Sequence, residues 1–279
     1  MKYQECYAEG KAALQQAEIA EADLDARLLL EHICGTNRND LLVHGDREVE
    51  EEKLAAYRTA IAKRSERIPL QHITGIQDFM GLEFKVNEHV LIPRQDTEIL
   101  VEEIMREMQD NVRILDMCTG SGCILISLLH YSNWCEGVGV DISVEALKVA
   151  CGNGEALLPE EKRPRWVESN LFEKVEVRFD IIVSNPPYIR TEVIDTLMPE
   201  VRLHEPIQAL DGTEDGLFFY RRIVEEAPSY LIREGRLYFE IGHDQAKEVS
   251  ALMEKAGFSD IRVVKDYAGL DRVVCGILR

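Results

Sequence analysis

One short stretch of this 279-residue chain holds residues able to steer a transfer reaction: SNPPYI, Ser184 to Ile189, straight after the apolar run FDIIV. Asn185 carries a side-chain carbonyl, and the residue before Pro187 carries a backbone carbonyl kept extended, because proline restricts its predecessor. Two fixed acceptors at one point can hold both N–H bonds of a planar NH₂ group. Pro186 and Pro187 have no N–H to compete for them. Tyr188 adds a flat face for a planar amide or base, with a hydroxyl expected at the rim. The chemistry this suits is attack by an amide nitrogen, whose lone pair is normally shared with its carbonyl. Hydrogen bonds from both its protons return electron density to nitrogen, and alignment supplies the rest. Asn185, Pro186 and Tyr188 are thus the catalytic candidates, and Asn185 through Tyr188 the acceptor-binding loop. No histidine or lysine base is required.

A second stretch, DMCTGSG from Asp116 to Gly122, lies between an apolar strand pattern and a helical one. Gly120 and Gly122 let the backbone turn sharply against a ligand at a helix start. The next strand ends in GVDIS, where Asp141, about twenty residues on, can accept both hydroxyls of a ribose. NAD is the obvious rival, but a GxGxxG fingerprint begun at Gly120 reads GSGCIL, with Leu125 in place of the third glycine. No Walker lysine follows, which disfavours ATP. A cofactor with one nucleoside and no pyrophosphate fits better, and S-adenosylmethionine is that cofactor. Asp116 is then placed to face its amino-acid portion, through water or on the ammonium.

Other chemistries find less support. The seven cysteines are scattered without a CxxC pair, Cys118 and Cys123 are poorly spaced for zinc, and His204 in RLHEP belongs to no HExxH pattern. No metal is expected, and the cysteines read as small hydrophobes of a reducing compartment. Glu205 and Pro206 are expected to shape a loop beside the acceptor, Arg94 to fasten a linker or meet a partner, and Glu240 to sit on the pocket rim. Lys plus Arg number 32 against 51 Asp plus Glu, a net charge of −19, most of it after residue 75. That balance disfavours a surface built on many phosphate contacts. With no apolar stretch long enough to span a bilayer and no export signal, a cytoplasmic protein without membrane association is expected.

These residues need a frame. Residues 1–73 read as helices, with Leu24, Leu28 and Leu29 sharing a face in LDARLLLEHICG and EVEEEKLAAYRTAIAKRSER running from acidic to basic as a helix dipole prefers. Residues 74–93 read as a β-hairpin linker around a glycine turn. From residue 94 to 279 helices alternate with short apolar strands, the pattern of an α/β, doubly wound, mostly parallel sheet. The last two strands, separated only by YAGLD, are expected to form an antiparallel hairpin. In such a sheet ligands gather at the carboxyl ends of the central strands, which places SNPPYI opposite the glycine turn.

Taken together, VLIPRQDTE, ILDMCTGSG, GVDIS, VSNPPYI and EVRLHEPIQALDGTEDGLFFYRRI resemble the release-factor glutamine methyltransferases over nearly the whole chain. NPPY alone also occurs in DNA adenine and some RNA methyltransferases, so an adenine N6-methyltransferase is the alternative; it would call for a basic surface or a base-flipping element. The resemblance implies a class I methyltransferase domain of Rossmann-like form, behind a helical substrate-recognition domain. It implies methylation of the side-chain amide nitrogen (N5) of the glutamine in the Gly-Gly-Gln loop of class I peptide chain release factors, by an enzyme expected to be monomeric with no nucleic-acid substrate. It also implies that Cys118, Thr119, Gly120, Ser121 and Gly122 surround the methionine moiety, that Asp141 meets the ribose and Leu171 the adenine. Asn185 then serves cofactor region and substrate amide alike. Two positions depart from the family pattern: Cys118 stands where the loop's first glycine is usual, which should narrow the space there, and Gln95 replaces the second proline of IPRPDTE.

Overall fold

The computed structural model describes all 279 residues, which form two compact units: Met1–Ile76 with Met198–His204, and Gln77–Leu197 with Glu205–Arg279. The first unit contains α1 (Tyr3–Gln16), α2 (Ala22–Cys34), α3 (Arg38–Val43), α4 (Glu51–Ser65) and α5 (Leu70–Thr74). Its core is Cys6, Leu14, Ala26, Leu29, Leu30 and Tyr57. The expected apolar face of α2 needs correction: Leu24 is exposed, and the buried face runs through Ala22, Ala26, Leu29 and Leu30. Small alanines at helical spacing let neighbouring helices approach, which a bulkier leucine face would not. Gly10 in α1 has the same cause, since a Cβ there would lie 2.0 Å from the Tyr57 hydroxyl. That hydroxyl donates instead to the Ala26 carbonyl at 3.1 Å. Arg64, almost fully buried, donates to Asp25 at 2.7 Å and to Glu200 at 3.0 Å. A division of the chain by sequence pattern carries no signal that Met198–His204 folds with the first unit.

Next in the chain come β1 (Ile76–Phe79) and β2 (Leu82–Lys85), which form a two-stranded sheet, then α6 (Gln95–Glu107), β3 (Arg113–Met117), α7 (Cys123–Tyr131), β4 (Glu136–Asp141), α8 (Val144–Leu157), β5 (Arg165–Glu168) and β6 (Phe179–Ser184). Short helices α9 (Thr191–Ile194), α10 (Pro199–His204) and α11 (Ile207–Leu210) precede α12 (Phe218–Tyr230), β7 (Leu231–Glu240), α13 (Ala246–Lys255), β8 (Phe258–Lys265) and β9 (Asp271–Leu278). Seven strands make one sheet in the order β5-β4-β3-β6-β7-β9-β8. The pairs from β5 through β7 are parallel, and β9 runs antiparallel to both β7 and β8. The expected doubly wound, mostly parallel sheet closed by an antiparallel hairpin is therefore the observed one.

Alternation along each strand divides the core between the two faces of this sheet. Leu115, Ile182, Leu237 and Phe239 face Tyr220, Ile223 and Val249, while Ile114, Ile181, Val183 and Tyr238 face Leu100, Ile104, Leu125 and Leu128. A sheet so covered leaves only its strand ends for chemistry. From β3 the chain moves outward to β4 and β5, then returns to pair β6 on the other side of β3. Ligands of open α/β sheets lodge at such a switch point, at the carboxyl ends.

Candidate active site

Register decides which side chains meet. Met117 pairs with Val140 on one side and with Ser184 on the other, and Ser184 in turn pairs with Phe239. The residues that follow these pairs, Cys118, Asp141, Asn185 and Glu240, consequently stand together along one edge of the sheet. A cavity of about 340 Å³ opens there, lined among others by Cys118 to Ser121, Asp141, Leu171, Asn185 and Pro187. Asp116, Gly122, Pro186 and Tyr188 lie behind its wall and not on it.

The glycine turn is held open by the strand ends. Cys118, Gly120 and Gly122 all have positive φ, at 61°, 55° and 79°. At Gly120 a Cβ would meet nothing within 4 Å, so the turn faces free space. Its N–H donates to Asp141 Oδ2 at 2.9 Å, while Asp141 Oδ1 accepts from the Ser143 N–H at 2.9 Å. Burial raises the Asp141 carboxyl above its ordinary value, and these backbone donors work against the shift. Asp116 is fully buried; its Oδ2 accepts from the Thr119 hydroxyl at 2.5 Å and its Oδ1 has no partner. Burial pushes its pKa up to about 7, and the negative Asp141 adds to the rise. A buried carboxylate oxygen with no partner costs free energy until a donor or cation reaches it. The ammonium of an amino-acid moiety is such a group. Leu171, buried and at φ 53°, follows β5 in a turn that the Ser169 hydroxyl holds by donating to the Leu171 carbonyl at 2.8 Å. It gives the cavity an apolar wall. A nucleoside bearing an amino acid fits these residues on the evidence of the orphaned Asp116 oxygen and the unobstructed Gly120.

Both pocket thiols are neutral. Burial drives the Cys118 pKa far above that of a free thiol and pushes Cys123 up to about 12, which removes them as nucleophiles.

The acceptor loop is stiffer than NPPY alone conveys. Ser184 donates to the Met117 carbonyl at 2.7 Å, and the Asn185 Nδ2 approaches the Thr97 hydroxyl at 3.5 Å. The Tyr188 hydroxyl, expected at the rim, turns inward to Glu240 Oε1 at 3.3 Å. Glu240 also departs from expectation, being 2% exposed and so no rim residue. The cause is register: it closes β7 one residue beyond the Phe239–Ser184 pair, directly beside the loop's base. Burial raises both its pKa and that of the Tyr188 phenol.

The downstream motif braces the same loop. Ile189 and the segment around Leu210 exchange backbone bonds, Ile189 N–H to Leu210 O at 3.0 Å and Gly212 N–H to Ile189 O at 2.8 Å. Gly216, at φ 73°, lies so close that a Cβ would be 2.4 Å from the Tyr188 carbonyl oxygen. Gln245 donates to that carbonyl at 3.1 Å. Arg94 reaches both carboxylate oxygens of Glu205, at 2.6 and 2.7 Å, and Glu205 is buried. Arg94 thereby fastens the approach to α6 to the chain entering α11. Thr97, Ser184 and Gln245 were missed by sequence reasoning; DTE and the residue before NPPY held the first two, but Gln245 lies in no motif. No group of three or more His, Cys, Asp or Glu side chains is arranged to hold a metal ion. His204 lies with the first unit.

Comparison with known proteins agrees with this architecture. Residues 5–75 match the PrmC N-terminal domain family and residues 94–210 the methyltransferase small domain family. The chain is 42% identical over 267 residues to the release factor glutamine methyltransferase of Agrobacterium fabrum, covering 94% of this chain and 92% of that one. It is 43% identical over 264 residues to the protein of the same name from Geobacter sulfurreducens, with 94% and 92% covered. Among solved structures, a methyltransferase from Pyrococcus furiosus superposes with a TM-score of 0.55 at 17% identity, covering 82% of this chain and 98% of the other, which speaks to fold alone.

Proposed function

Because the chain belongs to the release factor glutamine methyltransferase family, we propose that it methylates the side-chain amide nitrogen (N5) of the glutamine in the Gly-Gly-Gln loop of a class I release factor. The observation that carries this reading is the position of Asn185, a neutral hydrogen-bonding side chain fixed at the strand end beside the glycine turn and opening onto the same cavity. S-adenosylmethionine is the methyl donor and supplies a methyl group made electrophilic by its sulfonium. Cys118 to Gly122 would surround its methionine part, Asp116 would face the ammonium, Asp141 would meet the ribose and Leu171 the adenine.

The work of the acceptor loop is orientation. Asn185 and the carbonyl before Pro187 take the two amide protons, which restores electron density to the nitrogen and fixes its direction. Pro186 and Pro187 keep competing N–H donors away, and Tyr188, locked inward on Glu240, stiffens the loop from behind. Once methylated on nitrogen, the amide is a strong acid and gives its proton to these acceptors or to water, so no dedicated base is needed. The helical first unit would steady the rest of the partner. We further read the enzyme as a monomer acting in the cytoplasm without a nucleic-acid substrate; no helix is long and apolar enough to cross a membrane.

Labelled S-adenosylmethionine tests the reading when incubated with the enzyme and either a class I release factor or RNA and DNA. Label is expected on the protein, and appearance only on nucleic acid would transfer the assignment to adenine N6 chemistry.

A further inference from the structure

A planar primary amide presents its carbonyl oxygen on one side and its NH₂ on the other, and only the oxygen can receive a substrate N–H. Asn185 therefore works in one of its two flips. The reversed flip would set N–H against N–H. Something must select between them.

Behind Asn185 lies a buried polar group that makes this selection. Its Nδ2 approaches the Thr97 hydroxyl at 3.5 Å. Thr97 is 2% exposed, on the first turn of α6. Receiving an N–H through its lone pair obliges the hydroxyl to send its own proton elsewhere. The acceptor facing it is the Glu240 carboxyl, whose Oε1 is met by the Tyr188 hydroxyl and whose Oε2 is buried without a partner. Thr97 is the foremost of the polar neighbours offsetting the burial of Glu240, followed by Arg272 and Tyr188. We propose that Thr97, with its hydroxyl directed by Glu240, is a positioning residue that sets the flip of Asn185 and so turns the amide oxygen toward the substrate nitrogen. The order of donation runs from Asn185 to Thr97 to Glu240. An anion at its end makes the reverse direction unfavourable, since a carboxylate accepts and cannot donate.

This inference rests on the proposed methylation, and its test keeps the two apart. The full chain is assayed for kcat, KM and cofactor Kd with S-adenosylmethionine and a release factor, as wild type, Thr97→Val, Thr97→Ser, Glu240→Gln, Asn185→Ala and the combinations of Thr97→Val with each of the last two. Valine keeps the shape of threonine and removes the hydroxyl. The expected result is a kcat about tenfold lower in Thr97→Val, the size of one misdirected hydrogen bond, with cofactor Kd unchanged and activity restored in Thr97→Ser. Thr97→Val should add nothing in the Asn185→Ala background, and Glu240→Gln should add nothing to Thr97→Val. A wild-type rate in Thr97→Val, or losses that multiply independently in the combined variants, would overturn the positioning role. Failure of the wild-type enzyme to modify the release factor would instead remove the functional reading beneath it.

Discussion

The Ser184 hydroxyl donates to the Met117 carbonyl across 2.7 Å, binding the strand that leads into the glycine turn to the strand that leads into Asn185. Cofactor and acceptor halves of the cavity are thus held in one register by a single buried contact. Ser184→Ala should cost about 1 kcal/mol of stability, the usual net worth of such a bond. It should also lower kcat more than it weakens cofactor binding. Denaturant titration and steady-state kinetics measure the two; equal losses in kcat and cofactor affinity would show that the contact is structural only.

Asp116 makes the cofactor-free enzyme sensitive to pH. Folded, it keeps its proton up to about pH 7, whereas an unfolded aspartate releases it near about 4. Between those values the folded state holds more protons, so stability falls as pH rises through this window. Asp116→Asn should not show that fall. A cationic ammonium favours the ionised carboxylate, so cofactor affinity should climb over the same range and level off above about 7. Calorimetric titration at several pH values checks it, and a flat profile identical in wild type and Asp116→Asn would refute the role given to this group.

At φ 61°, Cys118 occupies backbone space that suits glycine. Cys118→Gly should raise stability by about 1 kcal/mol, since a side chain in the left-handed region costs roughly that much. It should bind S-adenosylmethionine at least as tightly. Cys118→Ala retains a Cβ and should gain little. Thermal unfolding of the two variants separates backbone strain from side-chain bulk; equal gains would point to bulk.

Gly216→Ala places a Cβ against the Tyr188 carbonyl oxygen in a left-handed turn. Backbone strain of this kind costs on the order of 1–3 kcal/mol and should displace the acceptor loop while leaving the glycine turn intact. KM for the release factor should rise and kcat fall with cofactor affinity retained. Weakened cofactor binding with a normal KM would contradict that division of labour.

What could be read from the sequence was whatever depends on local pattern. Alternation of short apolar strands with helices sufficed for the sheet, and YAGLD was too short for anything but a hairpin between β8 and β9. DMCTGSG, GVDIS and SNPPYI each carried a recognisable turn or cap, so their places at strand ends followed. Residues brought together by register were not legible in the same way. Glu240 looked like a rim residue because nothing nearby in sequence reveals that β7 lies next to β6. Tyr188 looked exposed for the same reason, its inward turn being fixed by Glu240, Gln245 and Gly216 from distant segments. The apolar face of α2 was misjudged because leucines advertise burial more loudly than the alanines that permit close packing.

The central claim is settled by locating the methyl group. A class I release factor incubated with the enzyme and S-adenosylmethionine, digested and sequenced by mass spectrometry, should carry one added methyl on the side chain of the glutamine in its Gly-Gly-Gln loop. Asn185→Ala should reduce that product by roughly a hundredfold or more, the loss typical of one oriented polar partner in the transition state. A methyl group on any other residue, or full modification by Asn185→Ala, would contradict the account.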